Sequence, residues 1–156
     1  MSTTASIKKL PPLQLYLDTS ALKRPFDDQA QPRIALETEA MVTVLAMIQS
    51  AEAVLLSSAV LEYENSRNPQ LERRRWTTRL LQLAGVTQPL TASIQQRASQ
   101  LEHTGLGSLD ALHVACAEAA RADYLLTCDD RLPRRYRGPL PILNPVQFIL
   151  KITERL

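Results

Sequence analysis

The stretch 107–132, GSLDALHVACAEAARADYLLTCDDRL, places the strongest limits on what this chain can fold into. Its first half predicts a helix with Ser108 as N-cap, running to about residue 121, with small or apolar residues on nearly every side. Such a helix is expected to be buried. A short apolar strand, 124–127, follows, and Asp129 and Asp130 come at its end. Because ligands of open parallel sheets bind at the carboxyl ends of strands, this stretch predicts a functional edge.

The rest of the chain alternates short apolar segments with segments of helical periodicity. Strands are predicted at 13–17, 54–57, 86–90 and 124–127, with 141–143 as a candidate fifth, and helices at 32–51, 59–66, 71–84, 91–103, 108–121 and 145–155. This alternation predicts an α/β fold with a mostly parallel sheet of four to five strands, covered by helices on both faces. The 156 residues, 45% of them apolar, fit one domain spanning 1–156, in which the polar segment 1–11 is expected to be flexible.

The sequence gives no sign of export or membrane insertion. Lys8 and Lys9 are followed by prolines and a short strand, not by the apolar core of a signal peptide, and no apolar run reaches membrane-spanning length. Cys116 and Cys128 lack metal-ligand spacing and have apolar neighbours, which suits reduced thiols in the core. We therefore expect a cytoplasmic protein with no membrane partner.

Three aspartates are predicted to reach the same edge of the sheet. Asp18 ends the first strand, Asp110 lies in the first turn of the buried helix, and Asp129 follows the fourth strand. Each also has an ordinary structural explanation: the cap of a turn for the first, the helix dipole for the second and a simple turn for the third. Asp130 is expected to cap the following segment.

The segment 59–66 contributes a fourth acid, and two glutamates compete for that place. On a helix that begins at residue 59, Glu64 shares a face with the apolar residues three and four positions before it, whereas Glu62 points roughly the other way. We choose Glu64, and the alternative that both are solvated surface acids stays open. His113 lies three residues after Asp110 on one helix face, where it is a core histidine or at most a supporter of the acids.

Carboxylates that are brought together predict a bound cation. They repel one another and raise one another's pKa unless a positive ion neutralises them. A ligand set of oxygens, without a Cys or His cluster, favours a hard ion over zinc. The sequence therefore predicts Mg²⁺ or Mn²⁺ as cofactor.

Arginines form two clusters in a chain whose formal net charge is only +2. The clusters are Arg67, Arg73, Arg74, Arg75 and Arg79, and Arg131, Arg134, Arg135 and Arg137. Next to an acidic metal site, such clusters suit a polyanionic substrate. Solvated helix faces and a basic loop are the alternative.

Three stretches resemble the PIN-domain family, the metal-dependent ribonucleases that include the toxins of VapC-type toxin–antitoxin pairs. They are LDALHVACAEAARADYLLTCDDRL, YLDTSALKRPFDD and LLSSAVLEYENSRNP, and together with the order of strands and helices they cover nearly the whole chain. The acids that the family carries fall here on Asp18, Glu64, Asp110 and Asp129. The resemblance implies that these residues are catalytic and bind metal, with Glu62 as the competing glutamate.

The resemblance also implies a three-layer α/β/α sandwich and a hydrolase, namely an endoribonuclease that cleaves RNA phosphodiester bonds with Mg²⁺ or Mn²⁺. The first and last acids would be direct metal ligands, and the other two would bind a second ion or orient water. Arg24 and Thr127 are expected to contact the substrate. Family membership suggests a homodimer, and a toxin would have a cognate antitoxin. The alternative is a catalytically silent PIN-like module that binds RNA or protein.

Overall fold

The structure is a computed structural model that describes residues 10–154. Its strands are β1 Leu13–Leu17, β2 Ala53–Ser58, β3 Val86–Gln88, β4 Tyr124–Leu126 and β5 Ile142–Leu143. Its helices are α1 Thr19–Leu22, α2 Pro32–Gln49, α3 Ala59–Ser66, α4 Leu71–Leu81, α5 Ala92–His103, α6 Ser108–Ala119, α7 Arg131–Arg135 and α8 Pro145–Thr153, with a 3₁₀ turn at Arg24–Phe26. Residues 1–9, which make up most of the segment 1–11 that was expected to be flexible, lie outside the described residues. Residue 155, the predicted end of the last helix, also lies outside them.

The strands form one parallel sheet in the order β3-β2-β1-β4-β5. β1 is central, and its Leu15 lies opposite Leu55 of β2 and Tyr124 of β4. The chain moves outward from β1 to β3 and then returns across the sheet to β4, so the topological switch point lies between β1 and β4. Residues that follow these two strands therefore border the crevice where such sheets bind ligands. The predicted parallel α/β sheet is confirmed, with its fifth strand present.

Helices cover both faces of this sheet. The crossovers β1–β2 and β2–β3 move towards the β3 edge of the sheet, and the crossover β3–β4 moves back towards the β5 edge. Because parallel crossovers are right-handed, their helices lie on opposite faces. α2, with α8 packed against it, covers one face, and the packed pair α5 and α6 covers the other. The predicted three-layer α/β/α sandwich is confirmed.

The core lies along β1 and α6. Leu15, Tyr16 and Leu17 are fully buried, which explains why β1 ends in three consecutive apolar residues. Most of α6 is buried as predicted, and Cys116 and Cys128 are free, buried thiols. Among the helices of residues 10–154, none is both long and apolar enough to cross a membrane.

Two local predictions were wrong. Gly107, not Ser108, occupies the N-cap position of α6, and Ser108 is the first helical residue. Glycine is accepted at this position, so the helix can start without a side-chain cap. The segment after Asp130 forms α7, and Asp130, which was expected to cap it, lies at the N-cap position but makes no side-chain cap contact. With five residues and an internal proline, α7 is too short to show helical periodicity in the sequence.

Candidate active site

Asp18 stands at the switch point, directly after the central strand. Its backbone N–H donates to the carbonyl oxygen of Leu126 in β4 at 3.1 Å, which ties the ends of β1 and β4 together. Its side chain caps α1, since Oδ1 accepts from the Ala21 N–H at 3.0 Å and from Ser20 Oγ at 2.6 Å. The capping role considered from the sequence is therefore real, and it also fixes the carboxylate in the crevice.

The environment of Asp18 is unfavourable to its negative charge. Burial raises the pKa of Asp18, and the hydroxyls of Ser20 and Thr127 and the Ala21 N–H offset this only in part. Thr127 also accepts from the backbone N–H of Asp129 at 3.1 Å. This threonine therefore lies between the acids that follow β1 and β4.

Glu64 points from α3 towards α6. Its Oε2 lies 2.7 Å from His113 Nε2, and its Oε1 accepts a hydrogen bond from the Thr19 hydroxyl. Partial burial acts to raise the pKa of Glu64, but these two hydrogen bonds, together with nearby positive charge such as that of Lys23, outweigh it and hold the pKa below its ordinary value. Glu62 is exposed and instead lines a separate cleft of about 700 Å³ beside α4. The structure therefore places Glu64, rather than Glu62, beside α6.

Asp110 lies half-buried in the first turn of α6, close to other negative charges. Burial raises its pKa, and so does the negative charge of Asp129 and, more weakly, of Glu64, while His113 opposes the shift. Like charges raise a pKa in this way only when they share one environment. The acids of α3, α6 and the β4 end are therefore electrostatically coupled.

Asp129 and Asp130 face different partners. The Arg131 side chain binds both oxygens of the Asp129 carboxylate, and this contact lowers the pKa of Asp129. Asp130 is exposed and pairs with Arg33 of α2 at 2.6 and 2.7 Å. Asp129 is therefore the aspartate whose charge affects the pKa of Asp110, whereas Asp130 links the β4 end to α2.

The carboxylate oxygens of these side chains are suitable ligands for a hard divalent ion, but the side chains are not arranged as a complete ligand set. Within residues 10–154, no three His, Cys, Asp or Glu side chains are grouped so that they could hold a metal ion. Protein donors occupy Glu64 and Asp129 instead. Burial and the negative charge of Asp129 nevertheless raise the pKa of Asp110, and a set of carboxylate oxygens suits a hard cation.

The arginines divide between structural and site-facing positions. Arg24, expected to contact substrate, donates to the buried Glu37 at 2.9 and 2.7 Å and to Asp27 at 3.0 Å. A substrate role for Arg24 stays a prediction, and it would require these ion pairs to open. Arg131 and Arg135 lower the pKa of Asp129, so these two members of the second cluster lie near that acid.

Sequence reasoning kept His113 as at most a supporter of the acids, but it missed the polar residues that hold His113 against Glu64. The Tyr16 hydroxyl lies 2.7 Å from His113 Nδ1 and 2.8 Å from Ser58 Oγ. Tyr16 is fully buried, and burial raises the pKa of its phenol well above the ordinary value. A tyrosine hydroxyl inside an apolar strand needs a buried partner, and that need was the available signal.

The sequence matches the PIN domain family over residues 15–138, and the chain belongs to this family. PIN domains are typically metal-dependent nucleases. No curated protein is significantly similar in sequence to this chain.

Three solved structures share the fold. FitAcB from Neisseria gonorrhoeae has a TM-score of 0.56 at 16% identity, covering 84% of this chain and 97% of that one. VapC20 from Mycobacterium tuberculosis, a toxin that cleaves the sarcin–ricin loop, has a TM-score of 0.56 at 13% identity over 77% and 93%. VapBC2 from Rickettsia felis, bound to a DNA fragment from its promoter, has a TM-score of 0.54 at 16% identity over 85% and 98%.

Proposed function

We propose that this protein is a divalent-metal-dependent endoribonuclease that hydrolyses RNA phosphodiester bonds. The observation that carries the proposal is the arrangement of the acids beside the switch point. Asp18 accepts from Ser20 there, Glu64 accepts from the neighbouring Thr19, and Asp129 lies close enough to Asp110 to contribute to its raised pKa. Capping and the helix dipole can each explain a single acid, but they do not explain why four acids from separate elements lie towards one edge of the sheet. Membership of the PIN-domain family supports the same reaction.

Each acid has a proposed role. Asp18 and Asp129 would be direct ligands of Mg²⁺ or Mn²⁺, because they follow the two strands that border the crevice. Glu64 and Asp110 would bind a second ion or orient the attacking water. When bound, the metal would lower the pKa of that water and stabilise charge on the phosphodiester. Ser20 holds Asp18 in its orientation by donating a hydrogen bond to it.

Positive side chains around the acids are proposed to hold the RNA backbone. Arg131 and Arg135 lie close enough to Asp129 to lower its pKa, and the charge of Lys23 lowers the pKa of Glu64. Phosphate contacts of this kind need charge and carry no base readout. Thr127 is also proposed to contact the substrate, because it lies beside Asp18 and Asp129.

We also propose that the chain is the toxin of a type II toxin–antitoxin pair, acting in the cytoplasm as a homodimer with a cognate antitoxin. The support is the shared fold with FitAcB and VapBC2, which are assemblies of that kind. The second candidate is a silent PIN-like module that binds RNA or protein. The contacts of Arg131 with Asp129 and of His113 with Glu64 favour it, because protein donors already occupy two of the acids without metal.

Calorimetric Mn²⁺ titration, paired with cleavage of a mixed RNA pool, tests the proposal. Wild-type protein is expected to bind Mn²⁺ and to cleave RNA only when the metal is present, and Asp18→Asn is expected to lose both. Asp28→Asn is the matched control, because Asp28 is exposed and only accepts the Ala30 N–H at 3.0 Å. Absence of Mn²⁺ binding at millimolar metal would reject the nuclease and support the silent module.

A further inference from the structure

We infer that His113 is a positioning residue that holds Glu64 in its orientation for metal or water, and that Tyr16 and Ser58 set the orientation of His113. The inference rests on the proposed function, because it assigns a task to an acid of that site. It goes beyond the four acids to side chains that contact neither metal nor substrate.

The four side chains form a series of hydrogen bonds, which the backbone of α3 closes into a circuit. Glu64 Oε2 lies 2.7 Å from His113 Nε2, His113 Nδ1 lies 2.7 Å from the Tyr16 hydroxyl, and that hydroxyl lies 2.8 Å from Ser58 Oγ. Ser58 Oγ in turn accepts the N–H of Leu61 at 3.0 Å and so caps α3, the helix that carries Glu64. The circuit therefore fixes both the start of α3 and its acid against β1 and α6.

The carboxylate at one end determines the order of donors along the circuit. An ionised carboxylate only accepts, so His113 Nε2 must carry a proton and donate. In the neutral imidazole Nδ1 then accepts, which makes the Tyr16 hydroxyl the donor and leaves its oxygen to accept from Ser58. This order gives each group one partner of the right kind.

The circuit leaves Glu64 able to bind a ligand. One oxygen accepts from His113 and the other from Thr19, and each carboxylate oxygen has a further lone pair. The His113 side chain is 3% exposed, whereas that of Glu64 is 21% exposed, so the circuit is buried and its last member reaches the crevice. Hydrogen-bonded partners of this kind orient metal-binding carboxylates.

A histidine that merely fills the core would behave differently on substitution. It would change the free energy of unfolding without a selective effect on metal affinity. A positioning histidine changes metal affinity, and a side chain that restores the donor to Glu64 recovers it. Glutamine places an amide N–H close to the position of Nε2, whereas leucine fills the space without a donor.

The experiment measures Mn²⁺ affinity by calorimetry on His113→Leu, His113→Gln and Tyr16→Phe. Thermal unfolding reports folding, and kcat and KM are measured on RNA. His113→Leu is expected to weaken Mn²⁺ binding by about 10- to 100-fold, as loss of such partners does, and to lower kcat more than it raises KM. His113→Gln is expected to recover most of this loss, and Tyr16→Phe to fall between. The control is His103→Gln, because His103 is exposed at the end of α5 and donates locally to the Ser99 carbonyl oxygen.

The outcomes separate this inference from the proposed function. Wild-type protein that binds no Mn²⁺ rejects the proposed function, and with it the task given to Glu64. Wild-type binding that Asp18→Asn abolishes and His113→Leu leaves unchanged keeps the function and overturns the inference. If His113→Leu does not fold, wild-type affinity in Tyr16→Phe overturns it instead. Imidazole ¹⁵N shifts give a metal-free readout, and a proton on Nδ1 in place of Nε2 would contradict the donor order.

Discussion

The guanidinium of Arg131 binds both carboxylate oxygens of Asp129, with Nε 3.1 Å from Oδ1 and Nη2 3.1 Å from Oδ2. The Arg131 backbone N–H also donates to Oδ1, at 2.9 Å. An acid proposed as a metal ligand therefore carries its own counter-ion two residues away. Because the Arg131 side chain is 72% exposed, it is free to swing outward when another cation takes its place.

Removal of this counter-ion should affect metal and RNA in opposite directions. Arg131→Gln is expected to tighten Mn²⁺ binding, because the guanidinium no longer competes for Asp129, and to weaken RNA binding, because a phosphate partner is lost. Calorimetry and fluorescence anisotropy measure the two affinities. Arg121→Gln is the control, since Arg121 is exposed just after the C-terminal end of α6, whereas Asp110 lies in the first turn of that helix. Weaker Mn²⁺ binding in Arg131→Gln would contradict the competition.

Asp18→Asn should stabilise the metal-free protein while removing its activity. Burial raises the pKa of Asp18 in the folded state, so the ionised carboxylate opposes folding at neutral pH. An asparagine keeps the cap of α1 without the charge. The gain is expected to be on the order of 1 kcal/mol, or a few degrees in Tm, by thermal unfolding without metal. A lower Tm for Asp18→Asn would mean that the charge itself stabilises the fold.

The pH dependence of stability follows from the same shift. Between the ordinary pKa of a carboxyl group and the raised pKa of Asp18, the folded protein binds a proton that the unfolded chain has lost. The contribution of Asp18 to stability is therefore full below the ordinary pKa and is lost as pH rises through the raised one. Chemical denaturation across this window should show a falling contribution in the wild type that is absent in Asp18→Asn. Parallel profiles for the two proteins would contradict the assignment.

Glu64 and Glu62 form a matched pair for mutagenesis on one helix. Glu64→Gln is expected to lower RNA cleavage by about 100-fold or more, because the site loses an acid that would bind an ion or orient water. Glu62→Gln is expected to leave cleavage unchanged, because Glu62 is exposed on the side of α3 that lines the separate cleft. Single-turnover cleavage rates decide the matter. Equal losses in both variants would show that α3 contributes charge alone.

Arg24→Ala should separate a structural role from substrate contact. Glu37 is 1% exposed and is held by Arg24, Arg33 and Asn144, so removal of Arg24 leaves a buried carboxylate with weaker compensation. We expect a loss of about 1.5–3 kcal/mol in the free energy of unfolding, measured by urea denaturation. Lower RNA affinity with unchanged stability would instead uphold the predicted contact with substrate.

Local sequence patterns determined the elements and the chain positions of the candidate acids. The structure has β1 at Leu13–Leu17 and α3 at Ala59–Ser66, at the predicted bounds, and the side chain of Ser58 caps α3. Such features depend on apolar runs and on caps, which involve residues a few positions apart. They suffice to place acids at strand ends and helix starts, because the topology of parallel sheets then brings those ends to one edge.

Only the tertiary structure decided which side chains meet at that edge. Tyr16 and His113 are 97 residues apart, and so are Arg33 and Asp130, and their contacts depend on how helices pack against the sheet. The pairing of Arg24 with Glu37 likewise depends on how the turn after α1 lies against α2. Periodicity tells which face of a helix is buried, but the partner across that face is set by the packing of distant elements. The acids were therefore visible in the sequence, while the hydrogen bonds that orient them were not.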